Sequence, residues 1–266
     1  EPLGGKQKRD VGSGKDYKLQ LNVINRIFQH ALSLGIIDRN PCHPVIIPKV
    51  KIDKPNKEVK FYTKTELSEL FSHIESLDNT KWSTQYFNAL LRLLVASGLR
   101  IGEAMALEWF DVDLDNQTVS VSKTTVQRTV IQDTPKTNKS NRVISIDSKA
   151  ASTLKRWYFF QKKHFMSLGN PHQSLVFPTW QGNVMDYHGL NYRLKKIEDT
   201  AKLTSLSFHG FRLSHASLCL NAGMTYKVIQ ERLGHSTLQM TMDLYSHLEP
   251  EKKNKELELF TKYANF

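Results

Sequence analysis

"YFNALLRLLVASGLRIGEAMALEW", Tyr86–Trp109, runs almost continuously apolar to Ala96 and is then broken at Gly98. The run predicts a helix, and Gly98 is the kind of residue that ends one. Arg100 and Glu103 follow three positions apart, so they share a face if the chain re-enters helix directly after the stop. In isolation such a pair reads as a surface ion pair, which is common and weak.

Upstream, Thr63 or Thr65 precedes "ELSELFSHIESL" as a capped helix start. Downstream, "WFDVDLDNQTVSVSKTT", "VQRTVIQDT" and "NRVISID" alternate apolar and polar residues around Asn and Asp turn signals, which predicts a small antiparallel sheet. Helical patterns then run over about 148–167, 186–201, 209–222, 225–233 and 237–248, and "EPEKKNKELELFTKYANF" reads as a terminal helix. The expected class is mainly α with a small antiparallel β-sheet (α+β).

The first sixteen residues, "EPLGGKQKRDVGSGKD", carry no fold signal and read as a flexible lead-in. From Tyr17 to Leu34, Leu21, Ile24, Ile27, Phe28, Ala31 and Leu32 recur at helical spacing, and Gly35 breaks the pattern. A stretch with four prolines and with Lys49, Lys51, Lys54, Lys57 and Lys60 follows, extended and basic. The boundary falls near residue 55, giving segments 1–55, 56–248 and a tail 249–266.

The 266 residues carry 37 Lys plus Arg against 26 Asp plus Glu, a formal charge of +11, so the chain attracts polyanions. Nucleic acid is the leading partner and a membrane surface the second. No apolar run reaches the roughly 20 residues that span a bilayer, and the polar start lacks a signal-peptide core. A cytoplasmic, nucleoid-associated location and no membrane partner are expected. Cys42 and Cys219 lack the paired spacing of zinc sites or disulfide frameworks and read as free structural thiols.

"SFHGFRLSHAS" puts His209 and Arg212 three apart at a helix start, projecting to one side, where free N–H groups, the helix dipole and a guanidinium all suit a phosphate. His235 ends "ERLGH", where Gly234 permits a tight turn, and Lys136 lies between two predicted strands. His209, His215 and His235 have no short ligand spacing and no completing carboxylate, so no metal site is expected. Tyr245, in "LGHSTLQMTMDLY", reads by itself as an ordinary half-buried tyrosine on a short helix, capped by Ser236 or Thr237 and packed through Leu238, Met242 and Met240.

Taken together, "ASGLRIGEAMALEW", "PKTNKSNRVI", "HGFR", "LGHST" and "DLYSHL", in this order, resemble the tyrosine recombinases of the phage integrase family, in the style of phage or conjugative-transposon integrases. The resemblance covers about residues 60–250, and Tyr17–Lys51 is similar to the end of that family's helical core DNA-binding domain. It implies a recombinase catalytic fold over 56–248, part of the helical DNA-clamping domain before it, and a C-terminal tail packing on a neighbouring subunit. No counterpart of a separate arm-binding domain is expected.

Residue by residue, the resemblance implies that Arg100 and Arg212 grip the scissile phosphate and that Tyr245 is the nucleophile. His209 precedes the second arginine as the base, Lys136 is the hairpin lysine, His235 is a phosphate donor and Glu103 supports Arg100. Two arginines can offset the charge of a phosphodiester, so no cofactor is expected. A phenol with a pKa near 10 needs cationic neighbours and a base, and the departing 5′ oxygen needs a proton, assigned to Lys136. Leu213 and Ser214 stand where the family often has His and Thr, which predicts altered packing.

The implied function is site-specific recombination through a 3′-phosphotyrosyl intermediate and a Holliday junction, for integration or excision of a mobile element. The implied partners are double-stranded DNA, a homotetramer on it, and an accessory excision factor or host DNA-bending protein. The alternatives are dimer resolution, type IB topoisomerase-like relaxation, and DNA binding without cleavage. Lys49 to Lys60 are candidates for backbone phosphate contacts.

Overall fold

The computed structural model describes residues 17–46, 60–126, 130–132 and 141–246, with side chains from 19 to 242 within those ranges. Lys49, Lys51, Lys54, Lys57, Lys136 and the expected helix at 249–266 lie outside the described residues; of Tyr245 only the backbone falls within them. The chain divides into two units, 1–57 and 58–266.

In the first unit, helix α1 (Tyr17–Ser33) ends where Gly35 takes φ +68°, and the Ile36 N–H closes back on the Ala31 carbonyl at 3.0 Å. Buried Asn40 pins the following turn to the helix: its amide nitrogen donates to Asn25 Oδ1 (2.8 Å) and Gln29 Oε1 (3.0 Å), and its Oδ1 accepts the Cys42 N–H at 2.9 Å. Of the expected apolar stripe, Leu21, Phe28, Ala31 and Leu32 are half-buried, while Ile24 and Ile27 are exposed.

The second unit opens with α2 (Lys64–Ser76). Its cap is Thr63, because Thr63 Oγ1 accepts the Glu66 N–H and Glu66 Oε2 accepts the Thr63 N–H at 2.7 Å, a reciprocal pair that Thr65 does not make. Helix α3 (Trp82–Ser97) is buried along most of its length and forms the hub against which α5 (Ser148–Ser167) and α7 (Phe208–Asn221) pack. Trp157 of α5 lies fully buried beside Tyr86 of α3 and donates its indole N–H to the Val176 carbonyl at 2.6 Å. Between them, α4 (Ile101–Met105) restarts the helix immediately after Gly98.

Strands β1 (Val112–Asp113), β2 (Thr118–Val121), β3 (Thr124–Val126), β4 (Val130–Gln132) and β5 (Arg142–Ser145) form two sheets instead of the one expected. Three are antiparallel in the order β1-β2-β5, with buried Val119 opposite buried Ile144; β3 and β4 pair separately. Trp109–Asp111, expected within a strand, is a 3₁₀ turn because Asp111 Oδ2 accepts the Glu108 N–H at 3.0 Å and curls the segment on itself.

The remaining helices are α6 (Tyr187–Thr200), α8 (Tyr226–Leu233) and α9 (Leu238–Ser246), the last continuing to the edge of the described residues. In α9 the expected packed side is wrong: Leu238, Met240 and Met242 are exposed, and Thr241 is the buried one among the described side chains. Ser214 is fully buried, accepts the Tyr62 N–H at 2.8 Å and donates to the Gly210 carbonyl at 3.0 Å, so its small hydroxyl fastens the start of this unit onto α7. Cys42 and Cys219 are both free and buried.

Candidate active site

Arg100 and Glu103 do not form a surface pair. Glu103 is buried, and Arg100 is the N-cap of α4, with its N–H donating to Glu103 Oε2 (2.9 Å) and its Nη1 to Oε1 (3.0 Å). The same carboxylate takes a second guanidinium: Arg142 of β5 donates Nη1 to Oε1 (3.2 Å) and Nη2 to Oε2 (2.8 Å). Burial pushes the Glu103 carboxyl up, but hydrogen bonding and charge from Arg142, then from Arg100, outweigh it and hold the group below its ordinary value. With Arg142 buried and the Arg100 side chain 45% exposed, Arg100 is the one able to meet a ligand.

Arg142 was not among the residues singled out from the sequence. Its signal is present nonetheless. In "RVIS" the alternation that buries Ile144 also points Arg142 inward, and a cation at an inward strand position needs a buried anion. Its Nε also donates to the Arg232 carbonyl at 2.8 Å, joining α4 to the end of α8.

His209 leaves the first turn of α7, whose cap is Ser207, and Arg212 the second. They diverge: His209 is exposed, whereas Arg212 is buried and donates Nη1 to the Gly98 carbonyl (2.8 Å) and Nη2 to the Leu233 carbonyl (2.6 Å). Both acceptors lie at helix C-termini, where unpaired carbonyls and the helix dipole favour a cation. Burial, then the charge of Arg100, lowers the Arg212 pKa to about 9, which leaves it protonated at neutral pH.

His235 follows Gly234, the left-handed cap of α8 at φ +64°. A Cβ on Gly234 would lie 3.0 Å from Arg142 Nη1, so a side chain there would press on the guanidinium. Burial pushes His235 down to about 4, aided by the charges of Arg212, Arg100, His209 and Arg142; His209, exposed as a residue but partly desolvated at its ring, is lowered by that desolvation, then by Arg212 and Arg100. Five basic side chains from α4, β5, α7 and the α8–α9 connection therefore feel one another, with Glu103 as the buried carboxylate among them.

His215, considered with the metal candidates, is instead an internal strut. Its Nδ1–H donates to the Val95 carbonyl at 2.7 Å, leaving Nε2 to accept from Arg232 Nε (3.4 Å) and to face Cys219 Sγ (3.3 Å). Among the described residues no group of three His, Cys, Asp or Glu side chains is placed to hold a metal ion, and no helix is long and apolar enough to cross a membrane. Lys60 is exposed.

Residues 60–252 match the family described as the phage integrase family. The ICEBs1 integrase of Bacillus subtilis (strain 168) is 31% identical over 91% of this chain and 64% of that protein. The integrase of Staphylococcus phage L54a is 29% identical over 94% of this chain and 74% of its own length. The chain thus spans 64% of the first of these relatives. Among solved structures, the Tn1549 transposon integrase in complex with transposon right end DNA superposes with a TM-score of 0.69 at 22% identity, over 92% of this chain and 80% of that one. XerA recombinase gives a TM-score of 0.58 at 18% identity, over 93% and 76%. These superpositions establish a common fold.

Proposed function

The chain belongs to the phage integrase family, and we propose on that footing that it breaks and rejoins duplex DNA with Tyr245 as the nucleophile, in the integration or excision of a mobile element. What supports the reading is that Arg100 and Arg142 hold the buried Glu103 carboxylate directly, while Arg212, His209 and His235 feel the charge of Arg100 beside it. Like charges so placed disfavour one another, and a phosphodiester supplies the anion that relieves them.

In the proposed step Tyr245 Oη bonds to phosphorus, its proton passing to His209, while the bond from phosphorus to the DNA 5′ oxygen breaks. That oxygen takes a proton from Lys136. Arg100 and Arg212 hold the non-bridging oxygens as charge builds, Glu103 aims Arg100, and neutral His235 donates one hydrogen bond. The phosphotyrosyl bond keeps its energy, so a 5′-hydroxyl from a second duplex can reverse the step. The assembly is a homotetramer on paired sites, passing through a Holliday junction, with an excision factor or host DNA-bending protein as accessory, in the bacterial cytoplasm at the nucleoid.

Lys123 is a second candidate for the acid. It precedes Thr124, whose Oγ1 would lie 2.8 Å from a Cβ on Gly102 in α4, so its strand packs directly behind Arg100 and Glu103. Lys123 is paired with Glu108 and, at 3.8 Å, with Asp111.

The experiment uses a nicked duplex from the DNA flanking the gene, which traps the covalent intermediate. The wild-type chain forms a protein–DNA adduct and Tyr245→Phe forms none; an adduct in the variant overturns the assignment. A substrate whose 5′ oxygen is replaced by sulfur, a leaving group that needs no acid, rescues whichever of Lys136→Ala and Lys123→Ala has lost the proton donor. Monomeric relaxation of supercoiled plasmid without junctions points to the topoisomerase-like alternative, and binding without any adduct to the non-cleaving one.

A further inference from the structure

Thr241 has no part in the reading above, yet among the described side chains of α9 it is the buried one, fully enclosed, with its Oγ1 2.8 Å from His235 Nδ1. The rest of His235 is fastened through its backbone: its N–H donates to the Gln230 carbonyl at 3.1 Å, and its carbonyl accepts from Gln230 Nε2 at 3.1 Å. The main chain is thereby fixed, and the ring's state depends on what meets its two nitrogens.

With its pKa pushed down to about 4, first by burial and then by its cationic neighbours, the imidazole is neutral at physiological pH and carries a single N–H. A hydroxyl can meet either tautomer, so the contact alone leaves the choice open. Burial decides it. Among the described residues His235 is the partner of the Thr241 hydroxyl, and a protonated Nδ1 would leave the threonine proton aimed at nothing inside the protein, a costly unmade donor. If Thr241 donates to Nδ1, its proton is used and the imidazole hydrogen stands on Nε2. His215 is held in the opposite form, its Nδ1–H given to a carbonyl, so the two histidines are set by different partners.

We propose that Thr241 is a positioning residue: its hydroxyl proton, donated to Nδ1, keeps His235 in the Nε2–H form that can donate to a phosphate oxygen, and does so while α9 is docked. This rests on the proposed role of His235 in DNA cleavage. Tyr245 lies four residues further along the same helix, one turn on. The bond therefore couples the seating of the helix that carries the nucleophile to the readiness of the donor, and undocking α9 releases the ring to either tautomer.

Two measurements on the full chain test this: the ¹⁵N chemical shifts of His235, which separate the tautomers without DNA, and single-turnover adduct formation on the nicked duplex. In the wild type the ring is expected as the Nε2–H form. Thr241→Val, equal in shape but without the hydroxyl, should mix the tautomers and slow cleavage about ten- to hundredfold at unchanged DNA affinity, the scale of a single misaimed donor. Thr241→Ser should restore both. A wild-type ring protonated on Nδ1 overturns the proposal whatever the variants do, as does a valine variant with an unchanged ring or an unchanged rate. If the wild type forms no adduct, the cleavage reading falls, while the shifts still decide whether Thr241 sets the ring.

Discussion

Arg142 and Glu103 meet through two hydrogen bonds, 3.2 and 2.8 Å, inside a site where Arg100 holds the same carboxylate at 3.0 Å. One buried anion thus orients two guanidiniums, and the more exposed of them is the proposed phosphate ligand. Arg142→Lys keeps the charge but cannot span both carboxylate oxygens and the Arg232 carbonyl together. We expect adduct formation to fall about ten- to hundredfold with DNA affinity little changed. Arg142→Gln leaves Glu103 with one partner, costs about 3 kcal/mol of folding stability by urea titration, and raises the His235 pKa in an NMR titration, because a repelling charge is gone. Wild-type rates in both variants would remove Arg142 from the site.

Gly98 is fixed twice over. It sits at φ +68°, and a Cβ there would lie 2.5 Å from His215 Cδ2 and 2.8 Å from Leu233 Cδ2. Its carbonyl and that of Leu233 are the acceptors for Arg212. Gly98→Ala is expected to cost about 2–4 kcal/mol, from left-handed backbone strain plus overpacking, and to abolish cleavage. Gly189→Ala, in helix α6 with open space around it, should gain up to about 1 kcal/mol. Equal urea midpoints for the two variants would contradict this account.

Acid should destabilise the fold through His215. Burial lowers its folded pKa to about 4, against roughly 6.5 in the unfolded chain. Between these values the unfolded chain binds a proton that the folded chain refuses. The stabilisation is therefore complete above about pH 6.5 and drains away as pH falls toward 4, amounting to about 2 kcal/mol by pH 5. His209 and His235, also lowered, act in the same direction. Unfolding free energies at pH 7.5 and 5 should differ less in His215→Gln than in the wild type; an equal difference would rule out this source.

Basic residues of the connecting segment should govern salt sensitivity. Each lysine that neutralises a phosphate contributes nearly one unit to the slope of log affinity against log salt. Lys51→Ala combined with Lys54→Ala should flatten that slope by about 1 to 2 units and leave the tautomer of His235 unchanged. An unaltered slope would assign both lysines to solvent.

Local pattern was enough for the helices. The periodicity over 148–167 matches α5 residue for residue, a threonine cap was legible before α2 although only the structure chose Thr63 over Thr65, and Gly98 and Gly234 mark left-handed stops. Each of these signals acts over a few residues, where the backbone's own hydrogen bonds and side-chain spacing dominate. The candidate site residues came from a different source, the order of five motifs that resemble one family.

Burial and partnership were not. Glu103 looked like half of a surface pair until Arg142, 39 positions away, closed over it. Histidines 209 and 215 share one helix, yet one is exposed and the other an internal strut against α3. Leu238 and Met242 lost the packed side of α9 to Thr241, whose hydroxyl found a half-buried imidazole. The sequence by itself determined which segments become helices and which side chains could handle a phosphate. Only the tertiary structure decided which of them are desolvated and by whom they are held, because the energy of a buried charge or hydroxyl depends on partners such as Gly98, 114 positions from Arg212, that no local pattern reveals.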